Sequence, residues 1–197
     1  MNALRRLTLL VSLASAAVAE VQARASKPAA PKAPESARVG DEAPAIDGSG
    51  PDGNGVSREH LRGKVVLLVF WTLDPATKSR MPLEPLRELR RAFRADERFL
   101  ILTVCLPNGV DESDAWLDFV ARQGKVDYGG GEVLFQNDPS WWNVFDFGVE
   151  EPTTARRYGV EETPAYFLIG DDGRLDAVRI PRERLRATVE ASLRHAR

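Results

Sequence analysis

The residues that could carry sulfur or metal chemistry are few in this chain of 197 residues. It contains one cysteine, Cys105, and two histidines, His60 and His195. A single thiol cannot form an intramolecular disulfide, a CxxC redox pair or a multi-thiolate metal site. The histidines lie far apart in the sequence, in segments that we expect to be solvated surface helices. We therefore expect neither a metal nor another cofactor.

Charge and composition narrow the class of protein further. There are 27 Lys and Arg residues against 29 Asp and Glu residues, which gives a net charge of −2. Such a balance lacks the basic footprint of a nucleic-acid-binding protein. The length and the 43% hydrophobic content fit one compact domain with an appendage. We place that domain at residues 39–197.

Residues 1–19 have the pattern of a secretory signal peptide. Arg5 and Arg6 precede the charge-free stretch LTLLVSLASAAVA, which ends in a small-x-small triplet at Ala19. A second possible cut follows Ala25. The apolar stretch is shorter than the roughly 20 residues that a membrane-spanning helix needs, so an uncleaved anchor is the weaker alternative. Residues 26–38 are rich in Pro and Ala and predict an extended linker. The sequence thus predicts an exported protein, periplasmic or secreted, with no stable membrane span after signal cleavage.

The remaining sequence alternates strands and helices. Apolar runs at 64–71 and 99–106 predict strands buried on both faces, as in parallel sheets. Helical periodicity follows at 74–95 and 111–123, and Pro82 and Pro85 predict a kink in the first helix unless its regular part begins later. Further predictions are a third strand at 132–136, a hairpin at 165–180 and a closing helix at 181–197. This order predicts an α/β fold, with a central mixed sheet flanked by helices.

Four of these segments together resemble a known family. They are GKVVLLVFW at 63–71, Met81-Pro82, the YGV at 158–160 that leads to Thr163-Pro164, and the YFLIGDDGRL hairpin. In this order they are similar to thioredoxin-like domains, especially the exported redoxin branch of TlpA-like thiol-disulfide oxidoreductases and alkyl hydroperoxide reductase or thiol-specific antioxidant proteins. The resemblance covers residues 39–197 and implies a thioredoxin-like fold with a cis peptide bond before Pro164. It also implies a binding groove, formed by Trp71, Asp74, Pro75, Thr163 and Pro164.

The cysteines of that family are missing here. Counting back from Met81-Pro82, the resemblance puts the two CxxC positions at Asp74 and Thr77, and no peroxidatic cysteine lies near residues 70–80. We interpret Asp74 as a helix N-cap, with a ligand-contacting or acid-base role as the alternative. A carboxylate cannot carry the two electrons of thiol-disulfide exchange. The dithiol site is therefore degenerate.

Two further features have more than one interpretation. Cys105 ends an apolar strand, where a small buried hydrophobe is the simplest interpretation and a functional thiol would need an external partner thiol. Residues 137–151 look like an insertion with four aromatic side chains, which either anchor a loop or form an exposed patch for a partner: Trp141, Trp142, Phe145 and Phe147. Adjacent residues in extended structure point to opposite faces, so the two tryptophans are expected to differ in exposure.

Three hypotheses for the function follow. The preferred one is an exported thioredoxin-like domain without dithiol chemistry, which acts as a binding or scaffolding module for a protein or peptide. The alternative is a redoxin-type oxidoreductase that works through Cys105 and an external thiol. The third is a structural subunit held in an assembly by its aromatic insertion. Whether the protein is an enzyme, and its oligomeric state, stay open at this stage.

Overall fold

The elements of the chain follow one another as alternating strands and helices. The structure is a computed structural model and describes residues 37–73, 81–107, 112–122, 125–127, 132–134, 138–148 and 153–196. The elements, in chain order, are α1 (Arg58–Leu61), β1 (Val65–Thr72), α2 (Leu83–Ala92), β2 (Phe99–Leu106), α3 (Ser113–Arg122), β3 (Lys125–Asp127), β4 (Glu132–Leu134), β5 (Trp141–Phe145), α4 (Thr154–Tyr158), β6 (Ala165–Ile169), β7 (Leu175–Ala177), a 3₁₀ turn (Arg182–Arg184) and α5 (Leu185–His195).

Five of the strands form one mixed sheet in the order β5-β2-β1-β6-β7. β1 pairs in parallel with β2, and β2 pairs in parallel with β5. β6 runs antiparallel to β1 and forms a hairpin with β7. The predicted parallel pair and terminal hairpin are therefore confirmed, and β1 lies at the centre of the sheet.

Both faces of the central strands are buried, as the continuous apolar runs predict. On one face, alternate residues of β1 pack with side chains of α2, α3 and α5, including Leu86, Phe119 and Val189. The other face is covered by residues 37–61 and by Tyr158 of α4. A central strand that is covered by helices on one face and by residues 37–61 on the other meets no water. This position suits a continuous apolar run such as VVLLVFW.

The third strand of the main sheet is not the one that the sequence predicted. The segment expected at residues 132–136 contains β4, which pairs antiparallel with β3 in a separate two-stranded sheet. The third parallel strand is instead β5, at the edge of the sheet, and it lies within the segment 137–151 that looks like an insertion in the sequence. Its polar residue, Asn143, obscured the strand pattern, and the structure explains it: Thr103 Oγ1 donates a 2.8 Å hydrogen bond to Asn143 Oδ1 across the β2–β5 pair.

The first long helix begins later than its predicted start. Pro82 is the N-cap of α2, and Pro85 lies in its first turn. A proline there breaks no intrahelical hydrogen bond, because the first N–H groups of a helix have no carbonyl partner. Residues 74–80 lie outside the described residues. Within the described parts of the chain, no helix combines the length and apolar character that crossing a membrane requires.

Candidate functional site

The carboxyl end of β1 meets the segment that precedes β6. Phe70 pairs with Ala165 across these antiparallel strands, so the residues that follow β1 lie beside those that precede β6. At this point Thr72 Oγ1 and Thr163 Oγ1 lie 3.2 Å apart and share a hydrogen bond. The peptide bond between Thr163 and Pro164 is cis, which confirms that prediction. Pro164 itself is exposed.

A groove of about 450 Å³ runs beside Pro164. Tyr166 and Ile180 are both buried beneath it, and the N–H of Ile180 donates a 2.9 Å hydrogen bond to the carbonyl of Tyr166. Burial raises the pKa of Tyr166, so the phenol stays protonated at neutral pH. The remaining lining residues are Pro82, Gly159, Val160, Glu161, Glu162, Ala165, Phe167, Arg179, Pro181 and Arg182. The groove thus combines apolar walls with charged side chains of both signs.

Arg179 shapes one side of the groove, and sequence reasoning missed it. Its φ of +47° lies in the left-handed region, which non-glycine residues rarely adopt. Its guanidinium Nη2 donates a 3.1 Å hydrogen bond to the carbonyl of Gly159, the C-cap of α4. This contact ties the loop after β7 to the loop before Pro164. Only the fold brings these two loops together, so no local sequence signal indicated the pair.

The predicted groove residues divide between the core, the groove and the part of the chain outside the described residues. Trp71 does not line the groove: it is buried in the core, with its ring centroid 5.2 Å from that of Phe119 in α3. The reason is the alternation of a strand, which turns residue 71 toward the helical face. Asp74, Pro75 and Thr77 lie outside the described residues. Of the predicted set, Pro164 lines the groove, and Thr163 lies next to it in the chain with its hydroxyl against that of Thr72.

Cys105 is fully buried at the end of β2, between Trp71 on β1 and Phe145 on β5 in the strand register. Burial raises the pKa of its thiol from 9.0 to about 12, and the negative charge of Glu112 adds to the shift, while a hydrogen bond with the backbone of Leu73 opposes it. A thiol in this setting stays protonated at physiological pH. The geometry matches a structural cysteine rather than an activated nucleophile.

The four aromatic side chains of the segment 137–151 divide between the core and the surface. Trp141 and Phe145 are buried at 1% and 3% exposure, so they cannot present a docking patch. Both belong to β5, whose pairing with β2 directs them toward α3. Trp142 is half-buried, whereas Phe147 is 49% exposed. The expected difference between Trp141 and Trp142 is therefore confirmed, and the four-residue patch is not.

The histidines contribute to local structure. His60 is exposed and completes the capping box of α1, because its side chain accepts a hydrogen bond from the N–H of Ser57. His195 Nδ1 lies 2.7 Å from the carbonyl oxygen of Ala191, one turn back in α5. Among the described residues, no three side chains of His, Cys, Asp or Glu come together as metal ligands would.

Solved structures with the same fold carry the names of redox proteins. A protein of Chlorobium tepidum assigned as thiol:disulfide interchange protein DsbE is 25% identical, with a TM-score of 0.58, over 80% of this chain and 99% of its own. The C-terminal domain of a protein of Bacteroides thetaiotaomicron assigned as a thiol-disulfide oxidoreductase is 22% identical, with a TM-score of 0.59, over 81% and 99%. The exposed lipoprotein thioredoxin of Streptococcus pneumoniae is 19% identical, with a TM-score of 0.51, over 75% and 99%.

In sequence alone, the chain matches no protein-family model and no curated protein. Its structural neighbours are thiol-disulfide oxidoreductases and thioredoxin domains, so the fold is thioredoxin-like. With Cys105 as its one cysteine, the chain holds no CxxC pair.

Proposed function

We propose that this protein is an exported, non-catalytic thioredoxin-like module that binds an extended segment of a partner protein in the groove beside Pro164. One observation carries the proposal: the groove is open, while the one thiol of the chain is fully buried. A binding surface of this kind keeps its use when the reactive sulfurs are lost. Dithiol chemistry does not, because it needs two thiols.

The chemistry of Cys105 argues against the alternative of a one-thiol enzyme. Thiol exchange proceeds through the thiolate. Burial raises the pKa of Cys105 to about 12, so the thiol stays protonated at pH 7. The sulfur is also inaccessible, since Cys105 has no exposed surface. Disulfide reduction through Cys105 would require the end of β2 to open.

The groove has the features that recognise a peptide. Pro82, Val160 and Pro164 offer apolar contacts, and Arg179 and Glu162 offer charged ones. A site that is mostly apolar with a few fixed polar groups favours binding over chemistry when no nucleophile is present. The partner would lie as an extended segment over Tyr166, and the charged side chains that line the groove would contact its polar groups.

The location of the protein is proposed from its first residues. Arg5 and Arg6, followed by the apolar stretch that ends at Ala19, are typical of an export signal. The similarity to an exposed lipoprotein thioredoxin is in keeping with this. Export would place the groove where secreted or periplasmic proteins pass in extended form.

Binding of a labelled extended peptide tests the proposal. The probe is the fluorescein-labelled B chain of insulin with its cysteines carboxymethylated, and the readout is fluorescence anisotropy. We expect saturable binding that Val160→Trp abolishes by filling the groove. Val178→Trp is the matched control, because Val178 is also half-buried against the same core cluster but does not line the groove. Absence of saturable binding, or equal binding by both variants, would contradict the proposal.

A further inference from the structure

The outer edge of β5 is the second feature that could bind a partner. β5 is the edge strand of the main sheet and pairs with β2 on one side. On its other side, Phe145 and Ser49 exchange both backbone hydrogen bonds, at 3.0 and 3.1 Å. Gly48 makes this approach possible, since an added Cβ would lie 2.3 Å from the carbonyl oxygen of Phe145. A short antiparallel ladder thus begins on this edge.

The ladder stops after one pair, for a chemical reason. The next hydrogen-bonded pair of an antiparallel ladder lies two residues along each strand, which would be Pro51 and Asn143. Proline has no N–H to donate. The chain turns away instead, as the N–H of Gly50 donates a 2.8 Å hydrogen bond to the carbonyl of Asn54. Among the described residues, the backbone N–H and C=O of Asn143 therefore face outward without a strand partner.

A cavity of about 690 Å³ lies at this position. It is lined by Asn143 and Trp141 of β5 and by residues of the turn at 50–56. Trp142, Pro139 and His60 also line it, and the rings of Trp142 and His60 meet edge to face at 6.2 Å. A volume of this size accommodates a ligand of a few residues, within the roughly 300–1,000 Å³ typical of small-ligand sites.

The charge of the cavity is negative. Asp138 in its wall is neutralised by a buried ion pair with Arg90, at 3.0 Å. Asp52 is fully exposed, and hydrogen bonds from the side chain and then the backbone of Asn54 lower the pKa of its carboxyl group, so that it is ionised at neutral pH. The ring of Trp142 is the preferred aromatic surface for a cation. A positively charged side chain is thus the group that these walls complement.

We propose that this cavity binds an extended peptide segment with a Lys or Arg side chain, whose backbone pairs with Asn143 and whose cation lies between Asp52 and Trp142. The segment pairs with Asn143 at the position in the ladder that Pro51 cannot fill. This mode of binding is the addition of a strand to a sheet edge. Asn143 is itself only 4% exposed and is reached through the cavity, so pairing is limited to about one residue and the cationic side chain supplies the selectivity. This site is separate from the Pro164 groove and does not depend on the function proposed for it.

Titration of ¹⁵N-labelled protein with a synthetic pentapeptide tests the proposal. The probe is acetyl-Thr-Val-Lys-Val-Thr-amide, and the readout is the shift of backbone amide and indole resonances. We expect saturable shifts of the Asn143 amide and the Trp142 indole. A peptide with Glu in place of Lys, or with N-methylated backbone amides, should bind at least fivefold more weakly. If the Lys and Glu peptides bind equally, or if the Asn143 amide does not shift, the proposal is wrong.

The variant Asp52→Asn tests the charge without disturbing the core. It should weaken binding of the Lys peptide about fivefold to tenfold at low salt. Asp172→Asn is the matched control, because Asp172 Oδ1 also accepts from the N–H two residues on, in the turn between β6 and β7. Equal affinity of the two variants would overturn the proposal. Shifts confined to Tyr166 and Arg179 would also overturn it, while supporting the groove, so the two sites fail independently.

Discussion

At the scale of single residues, Cys105 makes the stability of the protein fall as the pH becomes alkaline. Burial raises the pKa of its thiol from 9.0 to about 12, so the unfolded chain loses this proton first. The stabilisation is complete below pH 9 and is lost as pH rises toward 12. Between pH 8 and pH 10 the free energy of unfolding should fall by about 1 kcal/mol through this group.

Urea denaturation at several pH values, with Cys105→Ala for comparison, measures that contribution. The free energy of unfolding of the variant should depend less on pH between 8 and 10, whatever its absolute value. Tyr158, whose pKa burial also raises, acts in the same direction at higher pH and is present in both proteins. An equal loss of stability in the two proteins would contradict the assignment.

The second prediction at this scale concerns the degenerate redox positions. The natural protein should not reduce insulin with dithiothreitol, because it lacks two accessible thiols. The double variant Asp74→Cys with Thr77→Cys creates C-P-A-C at the positions that the resemblance assigns to the redox pair, and it supplies the two thiols that exchange needs. We expect reductase activity in the double variant and none in either single variant. Activity of the natural protein that Cys105→Ser abolishes would instead favour the one-thiol enzyme.

At the scale of elements, a buried ion pair joins α2 to the turn that precedes β5. Arg90 Nε and Nη2 lie 3.0 and 3.3 Å from the carboxylate of Asp138, which also accepts from the N–H of Ser140. Removing one partner leaves a buried charge uncompensated. Asp138→Asn should therefore lower the free energy of unfolding by about 3 kcal/mol, as measured in urea.

An exposed ion pair provides the control for that measurement. Arg194 and Glu190 lie one turn apart on α5, 3.4 Å from each other and open to solvent. Glu190→Gln should change the free energy of unfolding by about 0.5 kcal/mol or less. Equal losses in the two variants would show that the buried pair has no special part in holding α2 to the turn before β5.

Gly48 fixes the position of the segment that covers the edge of β5. Its φ is +122°, and an added Cβ would lie 2.3 Å from the carbonyl oxygen of Phe145. Gly48→Ala should thus lower the free energy of unfolding by at least about 2 kcal/mol, since alanine disfavours this backbone conformation and its Cβ would clash with the carbonyl oxygen of Phe145. Gly53→Ala is the control, with a φ of +79° but open space at its Cβ, and should cost only about 1 kcal/mol. Thermal unfolding of the two variants compares them directly, and equal costs would refute the steric argument.

The sequence predicted the elements whose signal is local. β1 and β2 are continuous apolar runs, and the helix α5 repeats Leu185, Val189 and Leu193 at helical spacing. β5 was missed because Asn143 breaks the apolar pattern, and its partner Thr103 lies on another strand. Likewise, one part of the groove comes from the loop at Arg179, which the sequence does not link to Pro164. The features that the sequence did not predict, β5 and the contact of Arg179, depend on contacts between segments that are distant in the sequence.

At the scale of the whole molecule, the first residues predict processing. If residues 1–19 are a signal peptide, N-terminal sequencing of the native protein should begin after Ala19, or after Ala25 for the alternative cut. The measurement is made on protein from the producing cell, separated into exported and cytoplasmic fractions. Intact Met1 on cytoplasmic protein would refute export.

The sheet order also determines when the chain can fold. β1 lies between β2 and β6, and Phe70 pairs with Ala165, which is synthesised much later. A ribosome must therefore release most of the chain before the centre of the sheet can close. Such a nascent chain stays unfolded for most of its synthesis, which is the state that a translocation pore accepts. If residues 1–19 act as the proposed export signal, this topology would leave time for the signal to be read before the sheet closes.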